Sequence, residues 1–299
     1  MMRPLVLWVI VGVIGRSAWA NDLPEVKSQS AVVIDAETGA EIFGKDADEI
    51  RPIASTTKIF VAMAVRKKGL DLDAWTEITR VDVKQARGGA RTRLDIRRVF
   101  RNKDLLRAML IASDNRAPSA LGRAAGMSTD DLVAAMNDIA KDLHLKRTKF
   151  TDPTGLRGNV STAREMAIAL RAALADDVLR EIMGDPFELV IGKWGVPKIA
   201  YGSTNQPLVA KKYDVIGGKT GYTTGAGYCF VTGAKFRGRE VVMTFLGARG
   251  KSQRFGDFNR VAAWLESGAP GAKLALDKLD AKPRKLVVDG EVRGRVAKK

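Results

Sequence analysis

The sequence has one cysteine, Cys229, and one histidine, His144, among 299 residues. A lone cysteine cannot close an internal disulfide, and its setting in the apolar run "GYCFVTGA" reads as a small buried hydrophobe. A lone histidine would have to carry any Ser-His-Asp triad, yet it lies in "DLHLKRTKF" at the end of a helical pattern, and no G-x-S-x-G elbow supplies the serine. Zinc favours His and Cys side chains, so one of each argues against a metal centre, and no cofactor motif appears. Aromatics make up only 6% of the chain, and none interleaves the basic residues as a base-stacking platform would, so nucleic acid is not the expected partner. Long apolar runs are absent too. The run from Leu5 to Ile14 is about half of the roughly 20 residues that cross a bilayer.

That short run follows Arg3 and precedes the small-x-small sequence Ala18, Trp19, Ala20. Residues 1–20 therefore read as a cleaved secretory signal and imply a periplasmic or otherwise extracytoplasmic protein. An exported chain without disulfides depends on its core, and 45% hydrophobic residues are adequate for one. Lys and Arg total 50 against 34 Asp and Glu, a formal charge of +16, and losing Arg3 and Arg16 with the leader takes two charges away and leaves +14. Outside the cytoplasm, anionic wall polymers suit such a charge, which also leaves room for loose association with the wall or membrane.

Periodicity divides the chain into strands, a helical block, more strands and a last helix. Residues 31–44 read as two strands around a turn at Glu37, Thr38 and Gly39. Helices are expected over 55–68, 103–111, 116–125, 130–142 and 162–174, the last with Thr162 and Glu165 at capping-box spacing. Residues 71–101 show no assignable element. Strands follow at 187–193, 197–201, 215–220, 227–235 and 239–246, then a helix at 252–266 and a basic, weakly patterned tail, 269–299. The pattern predicts an α/β (α+β) domain over 28–268 whose sheet joins both ends of the chain.

Within "RPIASTTKIF", Ser55 and Lys58 stand three apart, so on a helix the hydroxyl and the amine are neighbours. Serine is a weak nucleophile until a base takes its proton, and lysine can be that base once burial or nearby positive charge lowers its pKa. By itself this spacing equally describes an N-cap serine followed by a surface lysine. Two further stretches bear on the choice. "IASDNRAP" sets Ser113, Asp114 and Asn115 in a turn between helices, and "IGGKTGYTTGAGYCF" sets Lys219, Thr220 and Gly221 at the end of a strand. Each alone is an ordinary turn. Together they complete the S-x-x-K, S-D-N and K-T-G set of class A β-lactamases and penicillin-binding proteins.

With these motifs, and with "TDPTGLRGNVSTAREMA" and "GGKTGYTTGAGYCFVTGAKFRGREVVMTFLGARG", residues 28–266 resemble the low-molecular-mass penicillin-binding proteins, the D-alanyl-D-alanine carboxypeptidases and endopeptidases. "SDNRA", "NVSTARE" and "GGKTGYTTGAG" are most similar to the D,D-endopeptidase branch of the penicillin-binding protein 7 type. The resemblance implies a β-lactamase/transpeptidase-like fold, an antiparallel sheet flanked by helices with an inserted helical region. It also implies peptidoglycan peptides as substrates, β-lactam antibiotics as covalent inhibitors, and a set of roles. Ser55 is the nucleophile and Lys58 its base; Ser113 relays a proton, Asn115 holds Lys58, and Lys219 keeps the site positive. Thr220 meets the substrate carboxylate, Arg249 either joins it there or is a solvent-facing arginine, Gly221 permits close approach, and the backbone N–H groups of Ser55 and Tyr222 form the oxyanion hole. A β-lactamase is the nearest rival, but the E-x-x-L-N string that would supply its deacylating glutamate is missing. A non-catalytic wall-binding protein is the other, and the full catalytic set argues against it.

Overall fold

The computed structural model describes residues 23–90 and 92–267, so the expected leader, 1–20, and the tail, 269–299, lie outside the described residues. The chain runs through β1 (Ser30–Asp35), β2 (Glu41–Lys45), β3 (Arg51–Pro52), a 3-10 turn at Ala54–Thr57, α1 (Lys58–Lys67), β4 (Trp75–Glu77), α2 (Arg80–Gln85) and β5 (Val99–Arg101). It continues through α3 (Asn102–Ile111), α4 (Ala117–Ala124), α5 (Thr129–Asp142), β6 (Val160–Ser161), α6 (Ala163–Ala173) and α7 (Asp177–Gly184). The last part holds β7 (Phe187–Ile191), β8 (Lys198–Gly202), α8 (Gln206–Ala210), β9 (Asp214–Thr223), β10 (Gly227–Phe236), β11 (Arg239–Ala248) and α9 (Gln253–Ser267).

Five strands form one antiparallel sheet in the order β2-β1-β11-β10-β9, so the two ends of the chain do meet in it. Both faces of this sheet are covered, which explains why its strands read as apolar runs rather than as alternating patterns. Along β1, Val32 and Ile34 join the core beneath the helical block, while Ala31 and Val33 join a second core with Phe258, Val261 and Leu265 of α9. The result is a sheet between two helical layers, with α1 and α3–α6 as the larger insertion.

Caps mark several helix starts. Ser128 accepts from Asp131 N at 3.1 Å and opens α5, and Asp176 accepts from Val178 N and Leu179 N to open α7. At α6 only half of the expected capping box forms. Thr162 Oγ1 accepts from Glu165 N at 3.1 Å, but the Glu165 carboxylate turns away to accept from Thr148 Oγ1 at 2.6 Å and from Arg147 N. Residues 71–101 hold β4, α2 and β5, elements of three to six residues whose pairing partners are distant in sequence, and too short to show a period. His144 sits at φ 57 just past α5, donating its backbone N–H to Lys141 O, and is exposed.

Candidate active site

Ser55 lies in the 3-10 turn, not in the first turn of a regular helix; α1 begins only at Lys58. Ala54, immediately before it, takes the left-handed φ of 48. Two glycines fit this turn into the molecule. A Cβ on Gly155 would fall 2.0 Å from Ala54 O, and one on Gly221 would fall 2.9 Å from Ser55 N, so the loop before β6 and the end of β9 both press backbone against the serine.

Lys58 is fully buried, and its Nζ lies 2.8 Å from Ser55 Oγ, 2.7 Å from Asn115 Oδ1 and 3.0 Å from Thr154 O. Burial lowers its pKa to about 7, against the pull of the Asp114 and Asp152 carboxylates. A neutral amine has two N–H groups and one lone pair. Two of the three neighbours are carbonyl oxygens that can only accept, so the lone pair is left for the Ser55 hydroxyl, which donates to it.

The turn between α3 and α4 brings in the second motif. Ser113 adopts φ 64, and Asn115 is 4% exposed. Asp114 pins this turn by accepting from Arg93 N and Arg116 N, each at 3.0 Å, and from Tyr201 Oη at 3.1 Å. From β9, Lys219 is 1% exposed and donates to Thr220 O at 2.9 Å, and the hydroxyls of Thr220 and Thr204 are 2.7 Å apart. Burial, with the charges of Lys58 and Arg254 nearby, pushes Lys219 well below the usual lysine range. Arg254 is lowered too, to about 10, chiefly by its burial, so it stays cationic at neutral pH.

These groups surround a cleft of about 1040 Å³ whose walls include Ser55, Ser113, Asn115, Thr220, Gly221 and Tyr222. Lys58 and Lys219 lie buried behind them. Tyr222 is half exposed and stacks on Tyr228 at 4.3 Å between ring centroids. Arg249 is exposed and not among the described residues that line the cleft, and its backbone N–H donates to Gln253 Oε1. Cys229 is buried, with its thiol raised to about 11, as an inert core residue would be.

A family model described as D-alanyl-D-alanine carboxypeptidase matches residues 17–250. The chain belongs to that family. It is 31% identical over 265 residues to a D-alanyl-D-alanine endopeptidase of Escherichia coli (strain K12), an alignment covering 86% of this chain and 84% of that one. To a D-alanyl-D-alanine endopeptidase of Pseudomonas aeruginosa it is 32% identical over 245 residues, covering 82% and 79%. Among solved structures, D-alanyl-D-alanine carboxypeptidase from Mycobacterium tuberculosis H37Rv superposes with a TM-score of 0.74 at 27% identity, over 83% of this chain and 94% of that one. The Streptomyces K15 DD-transpeptidase gives the same TM-score at 25% identity, over 81% and 97%. The penicillin-binding fold expected from the motifs is the fold of this family member.

Several residues at the site carry no role in the motif reading. Asp152 gathers the backbone N–H groups of Thr154, Gly155 and Arg157 at 2.7, 3.0 and 2.9 Å, and this loop presents Thr154 O to Lys58. Arg254, on α9, donates through Nη1 to Gly221 O at 2.8 Å and Cys229 O at 3.0 Å, and lines the cleft. Its sequence signal was present: Arg254, Phe258, Val261 and Leu265 share one helical stripe, and a charge on an otherwise apolar stripe is unusual unless it is paired or functional.

Proposed function

We propose that this chain is a serine D,D-peptidase of the cell wall that cleaves D-alanyl bonds in peptidoglycan peptides, acting chiefly on crosslinks as a D,D-endopeptidase. The observation that carries the chemistry is the Lys58 amine, held by two carbonyl acceptors so that its lone pair faces Ser55. Lys58 takes the hydroxyl proton as Ser55 Oγ attacks the carbonyl carbon of a D-alanine. The oxyanion is received by the backbone N–H groups of Ser55 and Tyr222, a type of contact worth about 3 kcal/mol per donor. Ser113 passes the proton from Lys58 to the leaving amine as the C–N bond breaks. Water, deprotonated by Lys58, then releases the acyl group. In this scheme Thr220 and Arg254, which both line the cleft, meet the carboxylate beside the leaving amine. Arg249, on the exposed surface, has no part in this scheme.

The endopeptidase assignment draws on the endopeptidase relatives and on a cleft larger than a departing D-alanine requires. Among the described residues no glutamate lines the cleft, and Glu165 is committed to Thr148 and Arg147, so a penicilloyl adduct on Ser55 should persist rather than turn over as in a β-lactamase. An extracytoplasmic location belongs to the same proposal. It is supported by the leader-like residues 1–20, and among the described residues no helix is long and apolar enough to cross a membrane. The test is labelling by a fluorescent penicillin in the wild type and in Ser55→Ala, followed by mass spectrometry of purified crosslinked muropeptide dimers. A stable label lost in the variant, with dimers converted to monomers, is expected. Folded protein that takes no label sinks the peptidase reading, and cleavage of pentapeptides without dimers would make it a carboxypeptidase.

A further inference from the structure

The β7–β8 hairpin is apolar on both faces. Its inner face, Val190, Ile199 and Tyr201, is buried at 0%, 6% and 2% exposure, as a strand pair resting on a core should be. Its outer face carries Phe187, Leu189 and Ile191, opposite Gly202, Ala200 and Lys198, and the three are 58%, 43% and 37% exposed. Antiparallel strands with one solvated face normally alternate apolar and polar residues, and here the polar half of the pattern is missing. The loop at the hairpin tip continues the surface with Trp194, 81% exposed at φ 64, and Val196, 56% exposed. Single exposed hydrophobes need no explanation, but a contiguous set on one face marks an interaction surface.

The charged side chains on the outer face and tip of the hairpin are both lysines. Lys193 and Lys198 have no ion-pair partner among the described residues, and the Lys193 Nζ stands 5.3 Å from the Trp194 ring and 5.9 Å from that of Trp75. The single acidic residue of the hairpin, Glu188, is on the inner side and pairs with Arg107 at 3.2 Å. Aliphatic and aromatic side chains beside unpaired lysines match a bilayer interface, where the apolar groups enter below the headgroups and the amines meet phosphate. A second copy of this chain fits poorly, because a twofold contact sets the same patch against itself and would oppose lysine to lysine. A glycan fits poorly as well, since sugars stack on flat rings and most of this face is aliphatic.

We propose that the outer face of the β7–β8 hairpin docks on an anionic phospholipid surface, with Leu189 and Trp194 entering the interface and Lys193 and Lys198 facing the phosphates. The inner face of the same hairpin reaches the cleft through Tyr201, and Ala200 O accepts from Arg93 Nη1, so docking would hold the cleft beside the bilayer. This surface is independent of the peptidase reading.

The test is co-sedimentation of the exported protein, its basic tail intact, with phosphatidylcholine vesicles made with and without phosphatidylglycerol. Leu189→Ser combined with Trp194→Ser should weaken partitioning into both kinds of vesicle by about tenfold or more. Lys193→Gln combined with Lys198→Gln should weaken it about tenfold on the anionic vesicles alone. Penicillin acylation at the wild-type rate in both variants shows that the fold and cleft are intact. The proposal is overturned if both variants pellet with anionic vesicles as the wild type does. It is equally overturned if the serine variant instead loses binding to lipid-free sacculi, or loses a dimer seen by sedimentation, because the occupant is then glycan or a second copy.

Discussion

Replacing Asp114 by asparagine should move the acid limb of the acylation profile downward in pH. The groups that set the Lys58 proton affinity are the apolar burial that lowers it to about 7 and the carboxylates of Asp114 and Asp152 that raise it. An opposite charge within a few ångströms is worth about one to three pKa units, and Asp114 shares its charge among three hydrogen-bond donors, so about one unit is the reasonable loss. The base works only when neutral. With a pKa of about 7, roughly 9% of Lys58 is neutral at pH 6; with a pKa of about 6, roughly half is. A weaker base also transfers the proton less readily, and a Brønsted slope near one half would lower the plateau about threefold. The variant should therefore be slower than wild type at alkaline pH and equal or faster near pH 6. Disturbing the Ser113–Asn115 turn would scale the whole curve, so the midpoint is the diagnostic quantity. Stopped-flow acylation by a fluorescent penicillin across that range measures it. An unchanged midpoint with a lower plateau would leave Asp114 with a geometric role alone, and an alkaline shift would refute the electrostatic reasoning.

Lys58→Met should abolish the penicillin adduct seen by mass spectrometry, and its stability should lack the rise with pH that Lys58 gives the wild type. Because the folded pKa of Lys58 lies below its unfolded value of 10.5, the unfolded chain holds one more proton between about pH 7 and 10.5, and wild type gains about 1.4 kcal/mol per pH unit across that window. Urea unfolding at both ends should show the variant's relative advantage shrinking as pH rises, and parallel curves would mean that Lys58 is not neutral when folded. Gly155→Ala should slow acylation by about a hundredfold or more, since its φ of 83 and its contact with Ala54 O leave no room for a Cβ beside the serine turn; a folded variant of normal rate would refute that contact. Pelleting with purified sacculi should weaken steeply with salt, whereas Ser55 acylation should barely change because contacts in the buried cleft are poorly screened. Parallel decline of the two would show that surface charge and cleft field are not separable.

What was legible in the sequence follows the range of the signal. The central strands and long helices announce themselves within one turn or one pleat: Thr162 with Glu165, or the runs in β9 to β11. The three motifs were legible because each packs its chemistry into three or four residues. The short pairs β3–β6 and β4–β5 were not, because a strand of two or three residues is defined by a partner far along the chain. The same reason hid Thr154, whose contribution is a backbone carbonyl with no side-chain signature. Arg249 and Arg254 show the limit from the other side. Both are arginines just after β11, and only the packing of α9 turns one of them, Arg254, into the cleft and leaves the other in water.

Holding Lys58 neutral has a structural cost. Lowering its pKa from 10.5 to about 7 corresponds to roughly 5 kcal/mol of lost stability below pH 7, a large share of what a domain of this kind has. The compensation lies in the polar frame around it. Asp152 ties its own loop through backbone N–H groups, and Asn159 ties that loop to the 3-10 turn that carries Ser55 by donating to Thr57 Oγ1 at 3.0 Å and to Asp152 O at 2.8 Å. Each buried polar group in this frame has a partner, so none adds an unsatisfied-group penalty to that of the amine. The frame is also what gives the lysine its direction. An amine buried in a purely apolar pocket would be equally neutral, but its lone pair would have no reason to point at Ser55. Asn115 Oδ1 and Thr154 O use up the two N–H groups, and by elimination they aim the base at the nucleophile.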